Sequence, residues 1–236
     1  TNFFAHTNNL KEIILGSKLI LKDQGIMIIE VQYLYSVLSG NGFDSIHQDH
    51  RYYYTLSSIK KILEIFDLYI FDAEFLKKNN EILRVYVSKT NKNSSQRFKK
   101  ILNKENDKII FSKVKNLNNF RKSYNIKIKK FVVDLKKNKK IVCAIGASPR
   151  GCILLNTSNF SKSEINFVGE IKGSFKLKKL IPGTNIPILN EKHLIKKKID
   201  FIIILAWHLK NRLRKTLVSN GYKGKFIVPL PNLKIS

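Results

Sequence analysis

Acidic side chains are scarce in this chain: 17 Asp and Glu stand against 44 Lys and Arg in 236 residues, a formal net charge of +27. Cysteine is scarcer still. Cys143 and Cys152 form no CxxC pair, which is too little for a disulfide framework or a cysteine-held zinc, so both read as reduced packing residues. No run approaches the roughly 20 apolar residues of a membrane span. The opening TNFFAHTNNL lacks the basic start and apolar stretch of an export signal. Neither anchoring nor export is indicated, and a cytoplasmic protein is the default. No GxGxxG is present, which disfavours a nicotinamide-dependent enzyme, and GASPRG continues into Cys152 and Ile153 where a P-loop needs Lys and Ser or Thr. That argues against a nucleoside triphosphatase. An initiator methionine is absent too, and a start in mid-pattern reads as part of a longer polypeptide.

What is present is enough apolar material for a folded core, 43% of the residues, spread over a length that accommodates two small domains. A surplus of positive charge raises nucleic acid as a partner. Here the lysines are scattered through FLKKNN, RFKKILNKENDK, IKIKKF, DLKKNKK and LIKKKID among abundant Asn and Ile. A binding face concentrates charge and interleaves aromatics, so a solvated lysine-rich surface is the first reading and a basic nucleic-acid-binding protein is the alternative.

The pattern along the chain predicts an α/β protein. LKEIILGSKLIL has helical spacing, IMIIEVQYL is an apolar β-rich run, and TLSSIKKILEIF is an amphipathic helix that Thr55 or Ser57 can cap. LYIFDAEFL and ILRVYVSK follow as a hairpin. Residues 1–89 thus read as the closing part of an α/β sheet, and 90–135 as a polar, helical bridge whose best helix is NNFRKSYNIKIKKFVVDL. From 136 to 236 the α/β pattern restarts as a small doubly wound, Rossmann-like domain. Its first strand, Ile141 to Ile145, ends at Gly146, and Ser148 and Pro149 supply the cap and first-turn proline of the next helix. INFVGE, DFIIILAW and KFIVPLP are three further strands, with helical EKHLIKKK and HLKNRLRKTLVSNG between them.

The stretch FDSIHQDHRYYYT crowds His47, Asp49 and His50 against Tyr52, Tyr53 and Tyr54. HxDH is not an established zinc spacing, so no metal is assigned here. A surface turn with core-packed tyrosines is one reading. The other is chemical, since the stretch follows a probable sheet strand, in the kind of loop where α/β proteins keep their reactive groups.

The succession NFFAHTNNL, GIMIIEVQYL, FDSIHQDHRYYYTLSSI, LRVYV, AIGASPRGCILLN, IPGTNIPIL, IIILAWHLKNRL and KFIVPLP resembles the sugar C-methyltransferases, enzymes that use S-adenosylmethionine to methylate carbon on nucleotide-linked keto-deoxysugars. The resemblance spans essentially the whole chain. It implies the last part of a Rossmann methyltransferase domain followed by the C-terminal domain, with the zinc-binding domain and the glycine-rich cofactor motif lying upstream. Zinc would then belong only to that missing domain. The family's Tyr-His-Glu-His loop aligns with His47, Gln48, Asp49 and His50, and its Asn-Val-Phe-Ala-His stretch with Asn2 to His6. Gln32 stands where the family's strand ends in Glu-x-Pro-Tyr, and NNEIL where it has a Gly-Gly-Ser turn before Arg84.

The resemblance implies that His50 takes a proton from the carbon beside the sugar ketone while Asp49 orients its ring. Histidine suits that task because its reference pKa lies near 6.5. His6, His47 or a tyrosine hydroxyl would stabilise the enolate. Asn2 is the residue assigned to the cofactor. Tyr53, Arg84, Arg150 and Thr184 are the candidate contacts to the nucleotide sugar, Arg150 because it lies beside the glycine turn where a diphosphate could be held. Asn185 is a weaker candidate, and Trp207 is expected to pack the strand end.

Overall fold

The computed structural model describes residues 3–76, 82–196 and 198–236. The chain divides into two compact units, one comprising Thr1–Gly40 and Gln48–Leu117, the other Asn41–His47 and Asn118–Ser236.

The first unit runs α1 (Leu10–Ile20), β1 (Met27–Gln32), α2 (Leu34–Ser39), α3 (Leu56–Glu64), β2 (Tyr69–Phe75), β3 (Ile82–Ser88), α4 (Gln96–Leu102) and the start of α5 (Asp107–Lys137). Its sheet has the order β1-β3-β2, antiparallel throughout, with Met27 opposite Val87 and Gln32 opposite Ile82. The expected hairpin of β2 and β3 is therefore present, although the KKNNE that joins the two lies outside the described residues. Strand alternation sends Ile29 and Val31 of β1 and Leu83, Val85 and Val87 of β3 into one core with Ile14, Leu56, Ile59 and Leu63. Each such fully buried aliphatic contributes roughly 1.5–3 kcal/mol. Thr55 caps α3, as expected, in a reciprocal box in which its hydroxyl accepts from the Ser58 backbone and the Ser58 hydroxyl accepts from the Thr55 backbone.

The second unit holds β4 (Val142–Ile145), α6 (Pro149–Thr157), β5 (Val168–Glu170), β6 (Ile188–Asn190), α7 (His193–Lys196), β7 (Phe201–Ile204), α8 (Lys210–Ser219), β8 (Lys225–Val228) and β9 (Lys234–Ile235). The order is β6-β5-β4-β7-β8-β9, parallel except for the β9 edge, as the doubly wound reading requires. Cys143, Ile145, Ile202, Ile204, Phe226 and Val228 join Leu194 and Leu217 in one core, and the oppositely directed Val142, Ala144, Ile203 and Ile227 are buried as well. Burial on both faces is what a parallel sheet covered by helices demands. The Gly146 turn and the Ser148 cap appear as expected, with Gly146 at φ +90° and the Ser148 hydroxyl accepting from the Gly151 backbone.

Four features differ from the sequence reading, the first being that the run IMIIEVQYL is strand only to Gln32, with Leu34 opening α2. β6 and β9 were not anticipated, being only three and two residues long. The helix expected over EKHLIKKK is a single turn, His193–Lys196. α5 extends upstream to Asp107, and its length of 31 residues carries it from one unit into the other.

Candidate active site

Two segments of the first unit are stitched together by three hydrogen bonds. The Tyr54 hydroxyl donates to the Phe4 carbonyl at 3.0 Å, the Arg51 backbone donates to the Ala5 carbonyl at 2.7 Å, and His6 Nδ1 lies 2.6 Å from the Asp49 carbonyl. A carbonyl only accepts, so His6 Nδ1 carries its hydrogen and neutral His6 presents Nε2 as a lone pair. The same stitch sets His6 edge-on to His50, ring centroids 4.8 Å apart, and Tyr53 edge-on to His50 at 5.7 Å. His50 is half-buried with its Nδ1 shielded from solvent, whereas the His6 side is exposed. Burial, and secondarily Tyr52, pushes the Tyr54 phenol well above its ordinary pKa. It stays a neutral donor that pins Phe4, two residues from His6.

Of the residues picked out in the sequence, His6, Asp49, His50 and Tyr53 are thus brought together in one unit. The others are engaged elsewhere. Arg84 on β3 donates from Nε and Nη2 to Glu30 on β1, with Nη1 3.7 Å from Glu74. The Thr184 hydroxyl donates to the Ile181 carbonyl and accepts from the Ile186 backbone, closing its own loop. The Asn185 side chain accepts from the Lys162 backbone. His47 belongs to the second unit and is half-buried. Arg150 donates from Nε (2.9 Å) and Nη2 (3.0 Å) to Asp44, in the same unit. Trp207 packs against the core beyond β7, as expected. Asn2 lies outside the described residues.

Two carboxylates that the sequence reading passed over bracket the histidine loop. Asp44 lies three residues before His47. Glu105 accepts from the Leu56 and Ser57 backbones at 2.6 and 2.7 Å and from the Tyr33 hydroxyl at 2.9 Å, so it holds the start of α3, immediately after the tyrosines. Burial and then the Glu105 charge push the Tyr33 phenol far up, keeping it the donor. In a chain this poor in acids, a lone Glu in NKEND and a lone Asp ahead of the histidines were the available signals.

S-adenosylmethionine, the cofactor that the resemblance implies, calls for a glycine turn after a strand of the first unit. Its glycines stand at Gly16 inside α1, Gly25 ahead of β1 and Gly40 at the end of α2. Among the described residues none follows a strand, so this unit offers no glycine turn of the kind that cradles a nucleoside. Among the described residues, too, no group of three or more His, Cys, Asp or Glu is placed to hold a metal ion, and no helix is long and apolar enough to cross a membrane.

One unit is doubly wound and the other carries the paired histidines, an α/β protein whose class the comparison with known proteins narrows. Residues 82–231 match the family model of the C-methyltransferase C-terminal domain, and the chain belongs to that family. It is 25% identical over 239 residues to C-methyltransferase NovU of Streptomyces niveus, an alignment covering 98% of this chain and 56% of that protein. The chain therefore spans about half the length of the curated relative it matches. Neither match is to a nucleic-acid-binding family, so the alternative reading gains no support.

Proposed function

We propose that this chain supplies the proton-transfer machinery of an S-adenosylmethionine-dependent C-methyltransferase acting beside the ketone of a nucleotide-linked keto-deoxysugar. The observation that carries the reading is the edge-on His6–His50 pair, held by the Asp49 carbonyl in a chain of this family. His50 accepts the proton as the C–H bond breaks, and the electron pair moves into the ketone to leave an enolate oxygen. A hydrogen-bond donor must meet that oxygen, because an unstabilised enolate is too high in energy to form. The Tyr53 hydroxyl and, when it carries a second proton, His6 lie against the His50 ring and can donate. S-adenosylmethionine would supply the electrophilic methyl group.

Methyl transfer is the direct test. The enzyme carrying this chain is incubated with methyl-labelled S-adenosylmethionine and a thymidine-diphosphate-linked keto-deoxysugar, and label is sought on carbon. Label on oxygen, or none with any keto-deoxysugar nucleotide, rejects the reading.

A further inference from the structure

In a doubly wound sheet the ligand crevice lies outside the carboxyl ends of the strands where the winding reverses. Here that point falls between β4 and β7, because β5 lies on one side of β4 and β7 on the other. The crevice floor is closed: a Cβ on Gly146 would stand 3.1 Å from the Ala206 Cβ. Its mouth is lined by Arg150, in the first turn of α6 after β4, and Trp207, just beyond β7. Both donate to one carboxylate. Arg150 grips both oxygens of Asp44, and the Trp207 indole N–H donates to Oδ2 at 2.7 Å. The guanidinium lies over the indole ring, 4.6 Å from its centroid. Asp44 is 1% exposed and Arg150 16%. Beside Asp44, Phe43 is buried with its ring 6.2 Å from Tyr124 and 6.3 Å from Phe120, both on α5.

We infer that the crevice of the second unit is a carboxylate receptor for the chain's own Asp44, and that Asp44, Arg150 and Trp207 are positioning residues that fix the Asn41–His47 segment and so the place of His47. The occupant of a site that would suit an anionic ligand is a side chain of the same unit. A buried ion pair is a poor source of net stability, since desolvation of both charges offsets their attraction, whereas it selects one register strongly. Arg150 is then committed to Asp44 inside the second unit.

Trp207 is the sole tryptophan of the chain, so its fluorescence reports the receptor directly. In Asp44→Ala the emission is expected to change, millimolar acetate to restore it by filling the vacated receptor, and wild type to ignore acetate. Amide exchange over Phe43 to His47 should speed up in the variant and slow again with acetate. Trp207→Phe, which keeps a ring and removes one donor, should speed that exchange less and serves if Asp44→Ala does not fold. Unchanged emission and exchange overturn the receptor. Changed emission with unchanged exchange overturns the positioning role.

Discussion

Removing Glu105 tests whether the far end of the histidine loop is pinned as the geometry indicates. Three donors converge on this carboxylate: the Leu56 backbone and Tyr33 hydroxyl on Oε1, and the Ser57 backbone on Oε2. The first turn of α3 would otherwise leave those backbone donors open, because the Thr55 cap serves only Ser58. A hydrogen bond to a charged acceptor is worth about 1.5–3 kcal/mol, and a carboxylate at a helix N-terminus up to about 2 kcal/mol, though bonds sharing one acceptor do not add fully. Glu105→Ala should therefore cost about 3 kcal/mol, part of it from the Tyr33 hydroxyl left in a residue only 5% exposed. Glu105→Gln keeps one oxygen but turns an amide toward a donor, and should cost about half as much. Urea unfolding followed by far-UV circular dichroism at neutral pH reads the loss as a lower midpoint with an unchanged slope. Loss of negative charge is itself unfavourable at a net charge of +27, so Asp23→Asn, whose side chain is 91% exposed, is the control and should move stability by less than about 0.5 kcal/mol. Glu105→Ala falling within about 0.5 kcal/mol of that control would refute the reasoning.

Other perturbations probe the second unit and its acid response. Burial alone would raise the Glu164 pKa, but hydrogen bonds from Lys129, the Ser161 backbone and the Ser161 and Ser163 hydroxyls outweigh it and bring it from 4.5 down to about 2. Because the folded value is the lower one, Glu164 contributes stability above the unfolded pKa and loses it as pH falls through the folded pKa. Wild type should thus lose its advantage over Glu164→Gln between pH 4.5 and about 2 in an acid titration, and a constant difference across that window contradicts the assignment. Gly146→Ala combines a positive φ with a Cβ 3.1 Å from Ala206, so thermal unfolding should show a loss of about 1–3 kcal/mol; a neutral outcome means the turn is not constrained as described.

The sequence exposed what is local and left hidden what is remote. The Thr55 box lies within four residues, and the Gly146, Ser148, Pro149 succession spells out a strand, turn and helix start without help from the rest of the chain. The long apolar strands were legible for the same reason, since a run such as FIIIL must be buried on both faces. β6 and β9 carry too few residues to show a period, and their strand form comes from neighbours already in the sheet. Arg150 shows the limit most clearly. Beside a glycine turn it reads as an open cation, and its partner Asp44 stands 106 positions away. Glu105 is similar, reaching Leu56 over 49 positions. The histidine pair was legible only in part: crowding in FDSIHQDHRYYYT drew attention to His50, while its pairing with His6 depends on the stitch made by Tyr54 and Arg51.

Solvent deuterium exchange at the substrate carbon tests the proton-transfer account most directly, because it isolates C–H cleavage from methyl transfer. In the enzyme carrying this chain, wild type should wash deuterium into the carbon beside the ketone. His50→Gln keeps similar volume but cannot accept a proton at neutral pH, and should slow that exchange at least about a hundredfold while leaving folding and substrate affinity nearly intact. Exchange by His50→Gln at the wild-type rate would contradict the account and move the base to His6, whose Nδ1 is already committed to the Asp49 carbonyl and whose Nε2 is the remaining acceptor.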